Sequence, residues 1–190
     1  MKRPVRVTLL LLGLALSLVA LGQRSSLQAW ASGVGVRGAK LVGAAAPELP
    51  RGLARVDGGP EVRLAALRGR VILLHFWTFG CSNCKAMLPH YADWDARLTA
   101  RGLAVVGVHT PELDFEHDRA RLKAFVAERA IRWPVVVDDE MAAWERFAVD
   151  AWPTIVLVDR RGVVRAVHVG DDRARAIEAD LAKLLAEAAH

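Results

Sequence analysis

The chain has 190 residues, enough for one ordinary domain with a buried core and a short extra segment. Its formal charge of +5 falls to +2 beyond residue 22, because Lys2, Arg3 and Arg6 supply three of those charges and no acid lies in that first stretch. The other basic residues are interleaved with acids, as in DFEHDRARLKAFVAER, which describes a solvated mixed-charge surface and excludes a nucleic-acid footprint.

Met1 to Arg6 is positive, and residues 7–22 form an apolar run broken only by the polar Thr8 and Ser17. This is the pattern of an export signal, with the N-terminus in the cytoplasm and everything after it across the membrane. Ala20 and Gly22 suit cleavage after Gly22. An uncleaved helix over the run would span about 24 Å at 1.5 Å per residue, short of a hydrocarbon core of roughly 30 Å. Signal peptide and membrane anchor both stay open, whereas a lipoprotein anchor is excluded because no cysteine follows the run. Residues 23–45, rich in Gly, Ala and Ser, read as a flexible tether, and the folded domain is expected over residues 46–190.

Leu53 to Asp57 and Glu61 to Leu64, separated by Gly58-Gly59-Pro60, predict a short two-stranded lead-in. Leu64 to Arg68 reads as a helical turn stopped by Gly69. Val71 to Trp77 contains no Gly or Pro and predicts a strand buried on both faces. After a break at Thr78 to Gly80 the spacing turns helical, with Met87, Tyr91, Trp94 and Leu98 on one face and Pro89 inside the pattern. Ala104 to His109 is a second buried strand, and with the helix between them the two form a βαβ unit, so they are expected to be parallel with a right-handed crossover. Then follow an amphipathic helix over Arg119 to Ile131, a strand over Val135 to Val137 and a short helix over Met141 to Ala148. A hairpin of Thr154 to Asp159 with Val163 to His168 comes next, and a last helix carries Ile177, Leu181, Leu184 and Leu185. The order is βαβ, an added helix-strand block, then ββα.

Cys81 and Cys84 are the only cysteines, set where the first long strand meets its helix. Two thiols at this spacing exclude a disulfide-stapled scaffold. At a helix mouth, free N–H groups and the helix dipole favour a thiolate, and a second thiol three residues on permits a reversible disulfide. Cys81 is thereby the expected attacking thiol and Cys84 the resolving one, with Ser82 and Asn83 shaping the loop between them. A structural zinc site lacks its other two ligands, and haem attachment is ruled out by Lys85 after Cys84.

The stretch FWTFGCSNCKAMLP resembles the active-site stretch of the thioredoxin superfamily, in particular its extracytoplasmic TlpA/ResA-like and DipZ-like branch. The lead-in APELPRGLARVDGGPEVRLAALRGRVILLHFW, then HTPE, then WPT are similar to stretches of that branch in the same order, over roughly Ala46 to the C-terminus. The resemblance implies an α/β thioredoxin-like fold, a central mixed sheet flanked by helices, with a helix-strand insertion. It implies a cis Pro153 facing the cysteines, with Trp152 beside them and Trp77 as a further supporting residue. It also implies a thiol:disulfide oxidoreductase, more often a reductase, that needs no cofactor beyond the redox-active pair. Its partners would be protein thiols and disulfides and a membrane or periplasmic electron donor.

Several readings stay open. Relatives often place an acid or amide six residues before the first cysteine, or a glutamate three after the second; those positions are His75 and Met87 here. His75 is either a proton relay for Cys84 or a neutral core residue. Trp152 either narrows the choice of partner or fills the core, and Lys85 either lowers the Cys81 pKa or is an ordinary exposed lysine. His109 and Glu112 sit at a strand end where functional loops gather, whereas His90, His117 and His168 read as solvated. The rival function is a thioredoxin-fold copper metallochaperone using the two thiols and a histidine.

Overall fold

The computed structural model describes residues 36–187. The expected signal or anchor segment, residues 1–22, and residues 23–35 of the expected tether lie outside that range. Five strands form one sheet in the order β3-β2-β1-β4-β5: β1 (Val71–Trp77), β2 (Leu103–His109), β3 (Val135–Val137), β4 (Thr154–Val158) and β5 (Val164–Val169). β1 runs parallel to β2, and β2 to β3, while β4 is antiparallel to both β1 and β5. Among the described residues four α-helices accompany them: α1 (Ser82–Leu98), α2 (Arg119–Glu128), α3 (Ala142–Arg146) and α4 (Ala174–Ala186). The expected mixed α/β sheet with its inserted helix and strand is present.

β1 lies at the centre because all seven of its residues can be buried. Alternate side chains of β1 feed two cores. Val71, Leu73 and Trp77 pack with the inner face of α1, Leu122 of α2 and the apolar stripe of α4. Ile72, Leu74 and Phe76 pack with Trp144, Phe147 and the lead-in residues Leu49, Val62 and Leu64. Each fully buried Leu or Ile contributes roughly 1.5–3 kcal/mol of transfer free energy. Pro89 is inside α1, whose buried stripe nevertheless continues to Leu98.

Two expectations for the N-terminal side are corrected. Residues 36–45 are not tether but folded: a 3-10 turn, Arg37–Leu41, leads into backbone pairing with Val164 and Gly162 beside β5. The predicted two-stranded lead-in does not form either. Arg55 instead bridges Val136, with the Val56 N–H donating to the Val135 carbonyl at 2.9 Å and the Val137 N–H to the Ala54 carbonyl at 3.0 Å. In both places the edge of the sheet offers unpaired backbone groups, and the N-terminal segment satisfies some of them at each side. A 3-10 turn after β2, Asp114–His117, has no counterpart in the sequence expectation.

Candidate active site

Cys81 occupies the N-cap of α1, with extended backbone (φ −69°, ψ 120°). Its Sγ accepts the Cys84 backbone N–H at 3.1 Å. The two cysteines are joined as a disulfide with their Cα atoms 5.3 Å apart. Cys84 is 1% exposed and belongs to the core, while Cys81 is partly exposed and Ser82 and Asn83 are open to solvent. One sulfur can therefore meet a partner, and the other can meet only its neighbour. On reduction, the Cys81 sulfur remains at the positive end of a 17-residue helix.

The register brings Pro153 to the same end of the sheet. Thr154, the first residue of β4, pairs with Phe76, next to last in β1, so the residue before β4 sits beside the loop that carries the cysteines. The Trp152–Pro153 peptide is cis and Pro153 is buried. The Trp152 indole N–H donates to the Thr110 carbonyl at 3.1 Å, and its ring lies 4.1 Å from that of Trp144. Trp152 is half-buried and packs against both cores, so it is a core contact and a wall of this end of the sheet together. Trp77 is fully buried at the end of β1. Lys85 is half-buried in the first turn of α1 and forms no ion pair among the described residues.

His75 is fully buried under α1, stacked on the Tyr91 ring at 4.3 Å. Its Nε2 accepts the Trp133 indole N–H at 2.9 Å. An indole nitrogen only donates, so the neutral imidazole carries its proton on Nδ1, and no lone pair is left to take another. Burial pushes the imidazole down to about 3. Of the two readings of His75, this geometry is that of the neutral core residue.

His109 is buried as well, with Nε2 3.3 Å from the Thr78 hydroxyl and the Phe79 ring stacked on it at 5.6 Å. Burial lowers it to about 4, opposed by the nearby Glu116 carboxylate. Glu112 is exposed, and its backbone N–H donates to Glu116 Oε2. His168, expected to be solvated, is half-buried with Nε2 3.1 Å from Asp180 Oδ2, and His117 lies 3.7 Å from Asp139.

Glu116 is a site neighbour that the sequence does not single out. It is 2% exposed within a turn whose other members face solvent, and one of its oxygens lies against Gly80, the residue before Cys81. Phe115, 44% exposed, also touches this glycine and meets the Phe79 ring edge-on at 5.7 Å. Leu113, 53% exposed, extends the apolar surface. The only sequence cue was Gly80 itself, a residue without a side chain where one would collide. Among the described residues no group of three or more His, Cys, Asp and Glu is placed to hold a metal ion, so the copper reading gains no ligand set.

Residues 42–167 match the AhpC/TSA family. The chain is 34% identical over 145 residues to protein DipZ of Mycobacterium bovis, covering 75% of this chain and 21% of that protein. It is thus similar to about a fifth of the DipZ length. It is 30% identical over 142 residues to the thiol-disulfide oxidoreductase YkuV of Bacillus subtilis, covering 74% of this chain and 94% of YkuV. Among solved structures it is similar to a candidate thiol:disulfide interchange protein DsbE from Chlorobium tepidum. That match has a TM-score of 0.67 at 27% identity, over 76% of this chain and 97% of that one.

Proposed function

The chain belongs to the AhpC/TSA family of thioredoxin-like proteins, and on that footing we propose that it is a thiol:disulfide oxidoreductase reducing protein disulfides outside the cytoplasm. The observation that carries this reading is the placement of Cys81 Sγ at the N-cap of α1, accepting the Cys84 N–H, with Cys84 buried within bonding distance.

In the reduced protein the Cys81 thiolate attacks one sulfur of a substrate disulfide. A mixed disulfide forms, the substrate S–S bond breaks, and the departing substrate sulfur takes a proton from solvent. Cys84 then loses its proton and attacks Cys81 Sγ, expelling the second substrate thiol and closing the Cys81–Cys84 disulfide. Two electrons pass to the substrate. The exchange uses no group beyond the two cysteines, and an electron donor on the same side of the membrane returns them to the dithiol.

The apolar surface of Leu113 and Phe115 beside the cysteine loop favours a polypeptide over a small hydrophilic disulfide as substrate. Export is supported by the charged start and apolar run of residues 1–22. The test is a Cys84→Ser chain expressed with its N-terminal segment. It should accumulate a mixed disulfide on Cys81 that dithiothreitol releases and that a Cys84→Ser, Cys81→Ser chain never forms. Absence of any trapped partner, together with no turnover of a model protein disulfide by the unaltered chain, would overturn the reading.

A further inference from the structure

We propose that Glu116 is a positioning residue of the redox site, a negative charge held against the Cys81 loop that disfavours the Cys81 thiolate and makes the pair a stronger reductant. The proposal rests on the function proposed above and supplies its direction.

The 3-10 turn Asp114–His117 follows β2 over the open end of the sheet, and its side chains are exposed apart from Glu116. Glu116 Oε2 accepts the backbone N–H groups of Glu112 at 2.7 Å and Leu113 at 2.9 Å, folding the carboxylate back beneath its own turn. Those two bonds account for one oxygen. Oε1 has no hydrogen bond among the described residues and points at Gly80. A Cβ built on Gly80 would stand 2.0 Å from this oxygen and 2.9 Å from Phe115 Cζ. Adding a C–C bond of about 1.5 Å places Oε1 within about 3.5 Å of the Gly80 Cα. Gly80 is not among the left-handed glycines, so space, and not backbone conformation, demands a glycine here.

Closing the turn needs only the oxygen that takes the two N–H groups. What the second oxygen adds is charge next to the residue that delivers Cys81. An anion near a thiol disfavours its ionised form. A thiolate belongs only to the reduced state, so disfavouring it weakens the dithiol relative to the disulfide and lowers the reduction potential. The α1 dipole and Lys85 act in the opposite sense. The other charged or titratable groups around this corner are His109 at the end of β2, Glu112, His117 and Arg119 after it, and Asp139 after β3.

The experiment reads two quantities on the full chain: the Cys81 pKa from thiolate absorbance against pH, and the equilibrium of the pair with glutathione. Glu116→Gln keeps a carbonyl oxygen for the two N–H groups and removes the charge. It should lower the Cys81 pKa and shift the glutathione equilibrium toward the dithiol about tenfold, a rise of about 30 mV. Gly80→Ala, which forces the carboxylate away, should shift both in the same direction. Asp114→Asn, the same charge change at an exposed position of the same turn, should move the equilibrium less than twofold. Should the Glu116→Gln chain fail to fold, Gly80→Ala decides alone. Unchanged values, or a shift toward the disulfide, would overturn the proposal while leaving the oxidoreductase reading in place. A parent chain that does not exchange with glutathione at all would overturn both.

Discussion

Trp133 donates its indole N–H to Nε2 of His75 at 2.9 Å, beneath the helix that carries the cysteines. The bond fixes the tautomer and leaves the ring with no lone pair for a proton. His75→Asn retains an acceptor for Trp133, so the pH dependence of disulfide exchange should stay where it is. A stopped-flow pH profile checks this, and a displaced profile would restore His75 to the proton path.

The same burial sets an acid sensitivity. The folded-state pKa of His75 is held near 3, below the ordinary value of 6.5, so the unfolded chain binds the extra proton first. The stability tied to the neutral ring is complete above about pH 6.5 and is lost as the pH falls from there toward 3. At about 1.4 kcal/mol per unit the full effect is of the order of 5 kcal/mol. Urea unfolding at pH 7 and pH 4 should show a smaller loss for His75→Asn than for the parent chain. Equal losses would mean that the ring is charged, or reaches water, in the folded protein.

Gly107, in the middle of β2, faces the same ring. A Cβ there would lie 3.0 Å from both His75 Nε2 and Trp77 Nε1. Both rings are locked in the core and cannot swing aside as a surface side chain would. Gly107→Ala should destabilise the protein by about 1–3 kcal/mol, measured by chemical denaturation, and should disturb the Trp133 fluorescence. A neutral or stabilising result would show slack around His75 that the packing does not suggest.

What the sequence displayed and what it hid divide along one line. β1 and β3 were legible to the residue because a strand buried on both faces is a mostly apolar run, and the place of Cys81 and Cys84 at the mouth of a helix was legible from the helical spacing that follows them. The pairing of residues 43–46 with the β5 side and of residues 54–56 with β3 left no such trace. Those segments contribute backbone groups, and backbone pairing imposes no side-chain period. Glu116 was hidden for a related reason. Its burial comes from a turn folding back onto Gly80, so LDFEHD reads as exposed loop, and two apolar members of it, Leu113 and Phe115, are indeed exposed.

Asp138 ties the cis-proline end of the sheet to the inserted helix. Its Oδ1 accepts the Ala143 N–H and its Oδ2 the Trp144 N–H, each at 2.9 Å, and the Thr110 hydroxyl donates to Oδ2 at 3.4 Å. Thr110 in turn receives the Trp152 indole N–H on its carbonyl. Asp138→Ala strands two buried N–H groups at the start of α3, where each unmet group costs about 1–3 kcal/mol. The expected loss is therefore about 2–6 kcal/mol, with hydrogen exchange at Ala143 and Trp144 accelerating ahead of the rest of the core. Trp152→Phe separates the two ends of this chain of contacts, since it keeps the ring against Trp144 but drops the bond to Thr110. It should cost about 1 kcal/mol and leave the Ala143 and Trp144 amides protected. If those amides exchange faster in Trp152→Phe, the order of support is reversed, and Trp152 holds α3 in place instead of resting on it.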